Sequence, residues 1–551
     1  MFDFQTLLAA ACLVSFGFIG QKLIQRLRRH SIKYLQGPEC HSWLVGNLPG
    51  IFRAEYAVKN EKRWVEEYGT ALHIKGALGS DILYLADPKA MQYIFNTSGY
   101  NFHKTRQARV ISSLITGKGL SFAEGNIHAR QRRIMTPAFH FSTLRVFLPR
   151  FRSVAKKTTQ KWNEIVQRMG GQGVIEMTSW MSKTTLDAMG ETAFNYKFDS
   201  LDDGHSDLSR VYTNLIPDSF FKRSDKKLLF EAIWSYIPWW LVTIILRILP
   251  THQLKRIREY MKEARRVARH IIDTARQEHP SVKGGAKDIM SILIKANSSE
   301  NPKTKLDDES LMAQMTTFMF AGHDTTAATT SWALYHLARH PPAQKKLRDE
   351  IRQAKKNAAA RGDSDLTIQD LDSMKYLAAV MKETLRYSPI LSLLQRQAGR
   401  DDIIPLSTPL KTKTGETITS IPVSKGQVIY ASIANYNRLK SVWGEDADEW
   451  RPERFLDSDY SKKQKTGLGV VANIATFGTG LRSCIGWRFA MTEMQTLLIE
   501  FIDMFEYAPV PGKDDIIPAT QTIISPMLKG DEGHNQLPLL ISPAPDSEDR
   551  G

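Results

Sequence analysis

The stretch from Asp307 to Arg339 constrains the fold more than any other part of this chain. Asp307 or Asp308 can cap a helix, everything up to Arg339 stays compatible with it, and His340-Pro341-Pro342 stops it. At 1.5 Å per residue such a helix is about 48 Å long, enough to cross an entire domain. Whatever else the chain forms must therefore be arranged around it, as one large domain. Its middle, FMFAGHDTTAATT at residues 318–330, holds Gly322, Thr325, Thr326, Thr329 and Thr330. These are weak helix formers, so the helix is expected to be loosest there. Short β-like runs stand at Ala71–Ile74, Asp81–Leu85 and Val428–Ile433, with amphipathic helical patterns between. Loops are expected near 279–287, 298–305 and 355–365, where charge, Gly, Ser and Pro collect. The class is mainly α with small β-sheets. With 551 residues and 42% hydrophobic content, disorder, collagen and a small stapled scaffold are excluded.

Residues 6–20 carry no charge, and Phe4, Leu23 and Ile24 extend the apolar stretch to the length a spanning helix needs. Lys22, Arg26, Arg28, Arg29 and Lys33 follow, against a lone Asp3 before. That asymmetry predicts a retained N-terminal transmembrane anchor with the bulk of the chain cytosolic. Three regions result: an anchor with its basic stop at 1–30, a Pro/Gly connector at 31–50 expected to be non-helical, and a catalytic domain at 51–551. A second apolar stretch, 228–249, is broken by Glu231, Pro238 and Arg247 and holds Trp234, Tyr236, Trp239 and Trp240. It suits a surface dipping into lipid headgroups, with a buried helix pair as the alternative.

The chain has three cysteines, Cys12, Cys40 and Cys484, too few for a disulfide framework or a four-ligand zinc site. Cys484 ends the loop FGTGLRSC and precedes a helical pattern. The positive end of that helix and nearby Arg482 are expected to favour thiolate, and Gly478, Gly480 and Gly486 to let the backbone turn under something flat. Such a thiolate can be a nucleophile or an axial haem ligand. No recognisable histidine partner for a nucleophile stands in the sequence, which tilts the reading toward the ligand.

The pattern Phe477-x-x-Gly480-x-Arg482-x-Cys484-x-Gly486 resembles the haem-binding loop of the cytochrome P-450 family. Three further motifs stand in that family's order: Ala321-Gly322-His323-Asp324-Thr325-Thr326, Glu383-x-x-Arg386, and Arg451-Pro452-Glu453-Arg454-Phe455. The resemblance implies haem b, iron-protoporphyrin IX, held by Cys484 as the metal ligand, and monooxygenase activity. It implies a structural triad of Glu383, Arg386 and Arg454. It assigns the acid–alcohol pair Asp324 and Thr325 to proton relay, with Asp324 open to solvent. Arg482, Arg396 and Arg132 would meet the haem propionates. Where the family usually has Trp-x-x-x-Arg, this chain reads His128-Ala-Arg-Gln-Arg132, so an imidazole N–H must replace an indole N–H, with possible pH sensitivity.

No Gly-x-Gly-x-x-Gly after a strand is present, so electrons from NADPH are expected through a separate partner, by resemblance a membrane-bound NADPH–cytochrome P-450 reductase. Arg130, Arg132, Arg133, Lys345, Lys346, Arg348 and Arg488 form the expected basic docking patch. No nucleic-acid motif accompanies the net charge of +16. Expected pocket segments are 390–394, Phe318, Phe320 and Ala321, the loop 102–122, and Ile523-Ile524, all apolar or nearly so. They predict a lipophilic substrate, a terpenoid or other specialised metabolite first and a fatty acid second. The resemblance puts the chain in the endoplasmic reticulum membrane as a single-pass protein. A haem-thiolate isomerase or peroxide-dependent enzyme, and a haem-binding membrane sensor, are the competing readings.

Overall fold

The computed structural model describes residues 17, 20, 31–54, 56–202, 207–212, 215–234, 236–278, 289–301, 303–457, 466–519 and 523–545. The expected anchor apart from residues 17 and 20, Cys12, and the whole of the expected loop at 279–287 lie outside them.

The long helix forms as expected, over Asp308–Arg339. The Asp307 carboxylate caps it by accepting from Ser310 N at 2.7 Å. It runs unbroken through the Gly/Thr-rich centre. Thr325 and Thr329 donate back to the carbonyls of Ala321 and Thr325 at 2.9 and 2.8 Å, which spares their hydroxyls without breaking the ladder. Gly322 serves packing instead: a Cβ there would stand 1.7 Å from the Met189 methyl on the crossing helix Met177–Met189. A loop from Thr116 to Leu120 is clamped onto the same helix. Thr316 Oγ1 donates to Thr116 O at 2.7 Å, and Leu120 N donates to Gln314 Oε1 at 3.0 Å.

Helices Lys375–Tyr387 and Trp487–Met504 pack along the rest of this central helix, and Phe141–Arg168 packs against Trp487–Met504. Phe147, Phe151, Trp162, Trp332, Phe489 and Phe501 fill the space between them. Beside this helical core lies a five-stranded sheet in the order Ala71–Lys75, Asp81–Leu85, Val428–Ser432, Leu393–Ala398, Phe102–Lys104. The three expected strands are present. The two not anticipated are LLQRQA, whose polar residues break the β pattern, and a three-residue strand too short to show one. Antiparallel pairing sets Lys104 opposite Arg396, on the same face of the sheet.

The apolar stretch at 228–249 divides into parts of two helices, Asp225–Ile233 and Trp239–Ile248, with Pro238 between. Among the described residues no helix is long and apolar enough to cross a membrane. Glu231 is tolerated there because Arg223 pairs with it at 3.1 Å. Two expectations need correction. The connector carries a short helix, Leu48–Phe52, begun by Pro49 in its first turn. The expected loop at 355–365 is helical up to Ala360, because its alanines and lysines extend the helix Pro341–Ala360.

Glu383 and Arg386 meet on one face of Lys375–Tyr387, both fully buried. Every N–H of the Arg386 guanidinium finds an acceptor. Two go to the Glu383 carboxylate at 2.7 and 2.8 Å, and three to the carbonyls of Asn437, Ala447 and Glu449. Arg451 N donates to the same carboxylate at 2.8 Å. Arg454 joins less directly than expected. Its Nε is 3.5 Å from Glu383, while it donates to Asp446 Oδ1 at 2.5 Å and to the carbonyls of Trp443 and Asp446 at 2.6 and 2.7 Å. Arg386→Ala should destabilise the folded chain by about 3–5 kcal/mol, because it strands a buried carboxylate and three carbonyls. Urea denaturation of the full-length variant beside the parent protein measures this loss.

Candidate functional site

Phe477 ends a short 3₁₀ turn, and the chain reverses at Gly478 and Gly480, both left-handed with φ of 68° and 67°. Gly480 is also pressed against the carbonyl of Phe95, where a Cβ would stand 2.0 Å from the oxygen. No other residue satisfies both demands. Gly486 is different: its φ is −90° and the nearest atom to a Cβ would be 3.6 Å away, so neither conformation nor resident neighbours require it. The loop closes where Cys484 N donates to Phe477 O at 2.7 Å. Arg132 braces it from the helix Gly125–Met135, donating to Ser483 O at 2.6 Å.

The Cys484 side chain is accessible by surface area, yet protein surrounds it closely enough that burial pushes the thiol pKa up, against the Gly486 N–H and the Arg132 charge. The expected thiolate is not secured by the helix end alone, and a coordinated metal ion is what would deprotonate such a thiol. On the central helix, Ala321 is exposed although buried residues stand on both sides of it along the helix. Thr326 on that helix contacts Glu493 on Trp487–Met504. Phe318 packs edge-on against Phe139 at 5.5 Å.

Positive charge collects beside the loop. Arg482 donates to Gly99 O at 2.8 Å and pairs with Glu124. Arg396 is buried over the Phe95 ring, donates to Gln395 O at 2.8 Å, and leaves its Nε without a partner. The Arg482 Nε is likewise buried and unpartnered. Burial, reinforced by Arg482, pulls the Arg396 pKa down to about 10. Lys104 stands opposite, its ammonium donating to the carbonyls of Leu120, Ser121 and Ala123. Burial pulls its pKa down to about 7. Among the described residues the carboxylate that meets this group is Glu124, against Arg132, Arg396, Arg482 and Lys104. A ligand bringing two more negative charges and accepting from those guanidinium nitrogens fits the place, as the two propionates of haem do.

His128 is buried in the same cluster, with Nδ1 2.8 Å from the Tyr100 hydroxyl. Burial and the charges of Lys104, Arg482 and Arg132 pull its pKa down to about 4. The expected pH sensitivity is thus removed, since the imidazole is already neutral at physiological pH. Either Nδ1 or the Tyr100 hydroxyl donates in this contact; with Tyr100 as the donor, the imidazole hydrogen would sit on Nε2 and could serve as the donor the substituted indole would supply.

Asp324 and Thr325 lie next to each other on the central helix. The Thr325 hydroxyl donates to Ala321 O at 2.9 Å. The Asp324 side chain is 22% exposed and rests 3.0 Å from His323 Nε2, so it does not simply open to solvent as expected. In the expected docking patch, Arg133, Lys345, Lys346 and Arg488 are exposed. Arg348 is buried and donates to the carbonyls of Ile502 and Phe505 at 2.9 and 3.0 Å, so it is structural, and Arg132 belongs to the thiol loop. Of the expected pocket residues, Phe318 and Phe102 are core, whereas Leu391, Leu393 and Leu394 remain partly open. The residues that sequence reasoning passed over are Lys104, Glu124, Tyr100 and Glu493. Glu493 was visible in principle, since the spacing Phe489, Glu493, Leu497 sets an acid on a buried helix face. Lys104 reaches Arg396 through sheet register alone, which no local pattern announces.

Residues 35–530 match the cytochrome P450 family. Cytochrome P450 monooxygenase 205 of Postia placenta is 33% identical over 95% of this chain and 94% of its own. Cytochrome P450 monooxygenase claQ of Ampulloclitocybe clavipes is 31% identical over 94% and 95%. A ganoderic acid synthetase of Ganoderma lucidum is 33% identical over 87% and 89%. With the thiol loop, the buried Glu–Arg pair and the cation cluster in place, these matches along nearly the whole length establish that the chain belongs to the cytochrome P450 family and is a monooxygenase.

Proposed function

We propose that the protein inserts one oxygen atom from O2 into a C–H bond of a lipophilic substrate, using electrons that a separate NADPH-dependent reductase delivers. The observation that carries this reading is Cys484, exposed at the end of a glycine-turned loop, beside a cation cluster in which the Nε atoms of Arg396 and Arg482 are buried and unpartnered. Cys484 would hold the iron, and Arg396, Arg482, Arg132 and His128 would hold the propionates, with Lys104 adding positive charge beside them. Haem bound there supplies the redox chemistry of oxygen activation, which a thiolate ligand promotes by pushing electron density toward the iron.

The chain's own residues do the rest. Phe477 closes the loop through its carbonyl. Asp324 takes protons from solvent at its exposed edge, and the Thr325 hydroxyl passes them inward by releasing its bond to Ala321 O. The partly open Leu391 and Leu394, which pack against one apolar cluster, would border an apolar pocket that keeps water from the reaction. The apolar border supports a terpenoid or related specialised metabolite, and that one relative is named for ganoderic acid ranks this above a fatty acid. The exposed Arg133 and Arg488 suit an acidic docking surface on the reductase.

The catalytic domain occupies residues 51–551 and sits on the cytosolic face of the endoplasmic reticulum membrane, held by the anchor at 1–30. Support comes from one apolar face. Trp43 and Ile248 are 66% and 71% exposed, and Leu44, Ile233, Trp240 and Ile244 are exposed with them. Trp43 lies against Gly79, and the helix Asp225–Ile233 packs on the same turn, so the two segments are neighbours. Such a patch suits the headgroup layer.

Thr325→Ala should retain haem while the share of NADPH electrons recovered in product falls at least about tenfold. Peroxide and product assays with a reductase measure it, and unchanged coupling removes Thr325 from the relay. Deleting residues 1–30 should weaken sedimentation with microsomes without abolishing it, because the apolar face remains. Complete release would assign all membrane binding to the N-terminus.

A further inference from the structure

His323 is a buried titratable group that this account leaves unused. It has no exposed surface. Its backbone carbonyl accepts from Thr185 Oγ1 at 3.1 Å, and its ring meets Tyr212, on the helix Asp207–Tyr212, edge-on at 4.2 Å. The Tyr212 hydroxyl lies 3.1 Å from that of Tyr260 on the helix His252–Glu278. Water is therefore kept from the imidazole.

Counting protons at this ring gives a definite answer. His323 Nδ1 is 2.9 Å from Met319 O. A carbonyl only accepts, so Nδ1 carries a hydrogen. Nε2 is 3.0 Å from Asp324 Oδ1, close but off the line of a straight hydrogen bond. Were the imidazole neutral and the carboxyl ionised, two acceptor atoms would stand 3.0 Å apart with no hydrogen between them, a close approach that costs energy. The contact is relieved when one proton is held between Nε2 and the Asp324 carboxyl. The charge balance agrees: burial works to lower the His323 pKa, but the Asp324 charge and contact and the Met319 carbonyl together raise it. Residues adjacent in sequence do not face each other on a helix. The contact thus requires the Asp324 carboxyl to bend back along the helix surface, where His323 holds it.

We infer that His323 and Asp324 share one proton as a single acid, with His323 as the positioning residue that keeps the relay carboxyl in place and loaded. The inference rests on the relay reading of Asp324 and Thr325. A proton leaving Asp324 toward Thr325 is replaced by one from solvent at the exposed edge of the same carboxyl, so the pair returns to its starting state. His323 itself touches neither substrate nor haem.

Nitrogen NMR of the full-length protein labelled with ¹⁵N-histidine tests this at neutral pH, with His323→Phe identifying the signal. The expected result is a protonated or proton-sharing Nε2 that moves to the shift of a free lone pair in Asp324→Asn. A free lone pair in the parent protein overturns the proposal. In the reductase-supported holoenzyme, His323→Phe and Asp324→Asn should each lower coupling several-fold, the double variant no further than either, and His323→Gln, which returns an N–H near Nε2, should recover part of it. Losses that multiply in the double variant also overturn the proposal. Full coupling in Thr325→Ala overturns the relay reading instead, while the nitrogen shifts still decide the shared proton.

Discussion

The buried Arg386 guanidinium is the joint on which the thiol loop hangs. It binds Glu383 on its own helix and three carbonyls from the segment 437–449, so that segment cannot move without breaking charge-assisted bonds in a dry interior. From there the path is short. The Asn437 side chain accepts from Ala475 N at 3.0 Å and donates to Thr476 Oγ1 at 2.9 Å, and Thr476 donates to Leu385 O at 2.6 Å, back on the first helix. Phe477 follows, and its carbonyl fixes Cys484. A charge pair buried this deeply contributes little net stability over an apolar substitute. Its effect here is to fix a register between a helix, an irregular segment and a reactive loop.

A second constraint is unbalanced charge. Lys104, Arg109, Arg132, Arg396 and Arg482 crowd one side of the loop, and the buried Nε atoms of Arg109, Arg396 and Arg482 lack acceptors. Protein interiors rarely leave such groups unmade, so the cluster describes the ligand it awaits: large, flat enough to lie over a glycine-lined turn, and anionic at one edge. His128 in place of a tryptophan costs little in this setting. Burial and the surrounding positive charge hold its pKa down, and its Nδ1 is engaged by the Tyr100 hydroxyl, so the ring is kept in place beside the cations.

Much of this was legible in the sequence, for reasons that differ by element. The central helix was readable from its cap and its proline stop, because both act within one turn of the chain. The glycines at 478 and 480 were readable because left-handed backbone leaves few choices, while Gly486 followed the same pattern without the same cause. The Glu383–Arg386 pair was readable from spacing, but its chief neighbours, carbonyls 437 to 449, were not, since backbone acceptors leave no trace in residue type. Arg348 looked like surface charge and proved to be a buried bracket for the carbonyls of Ile502 and Phe505. Lys104 and Glu124 escaped notice because sheet register and a loop contact, not local pattern, bring them to Arg396 and Arg482.

Everything above turns on Cys484 as the iron ligand. The most direct measurement is the difference spectrum on binding carbon monoxide to the dithionite-reduced, purified full-length protein, recorded beside Cys484→Ser. The account predicts a Soret band at the red-shifted thiolate position in the parent protein and its loss in the variant. A band at the position typical of histidine ligation in freshly prepared parent protein, or a thiolate band that survives in Cys484→Ser, would contradict it.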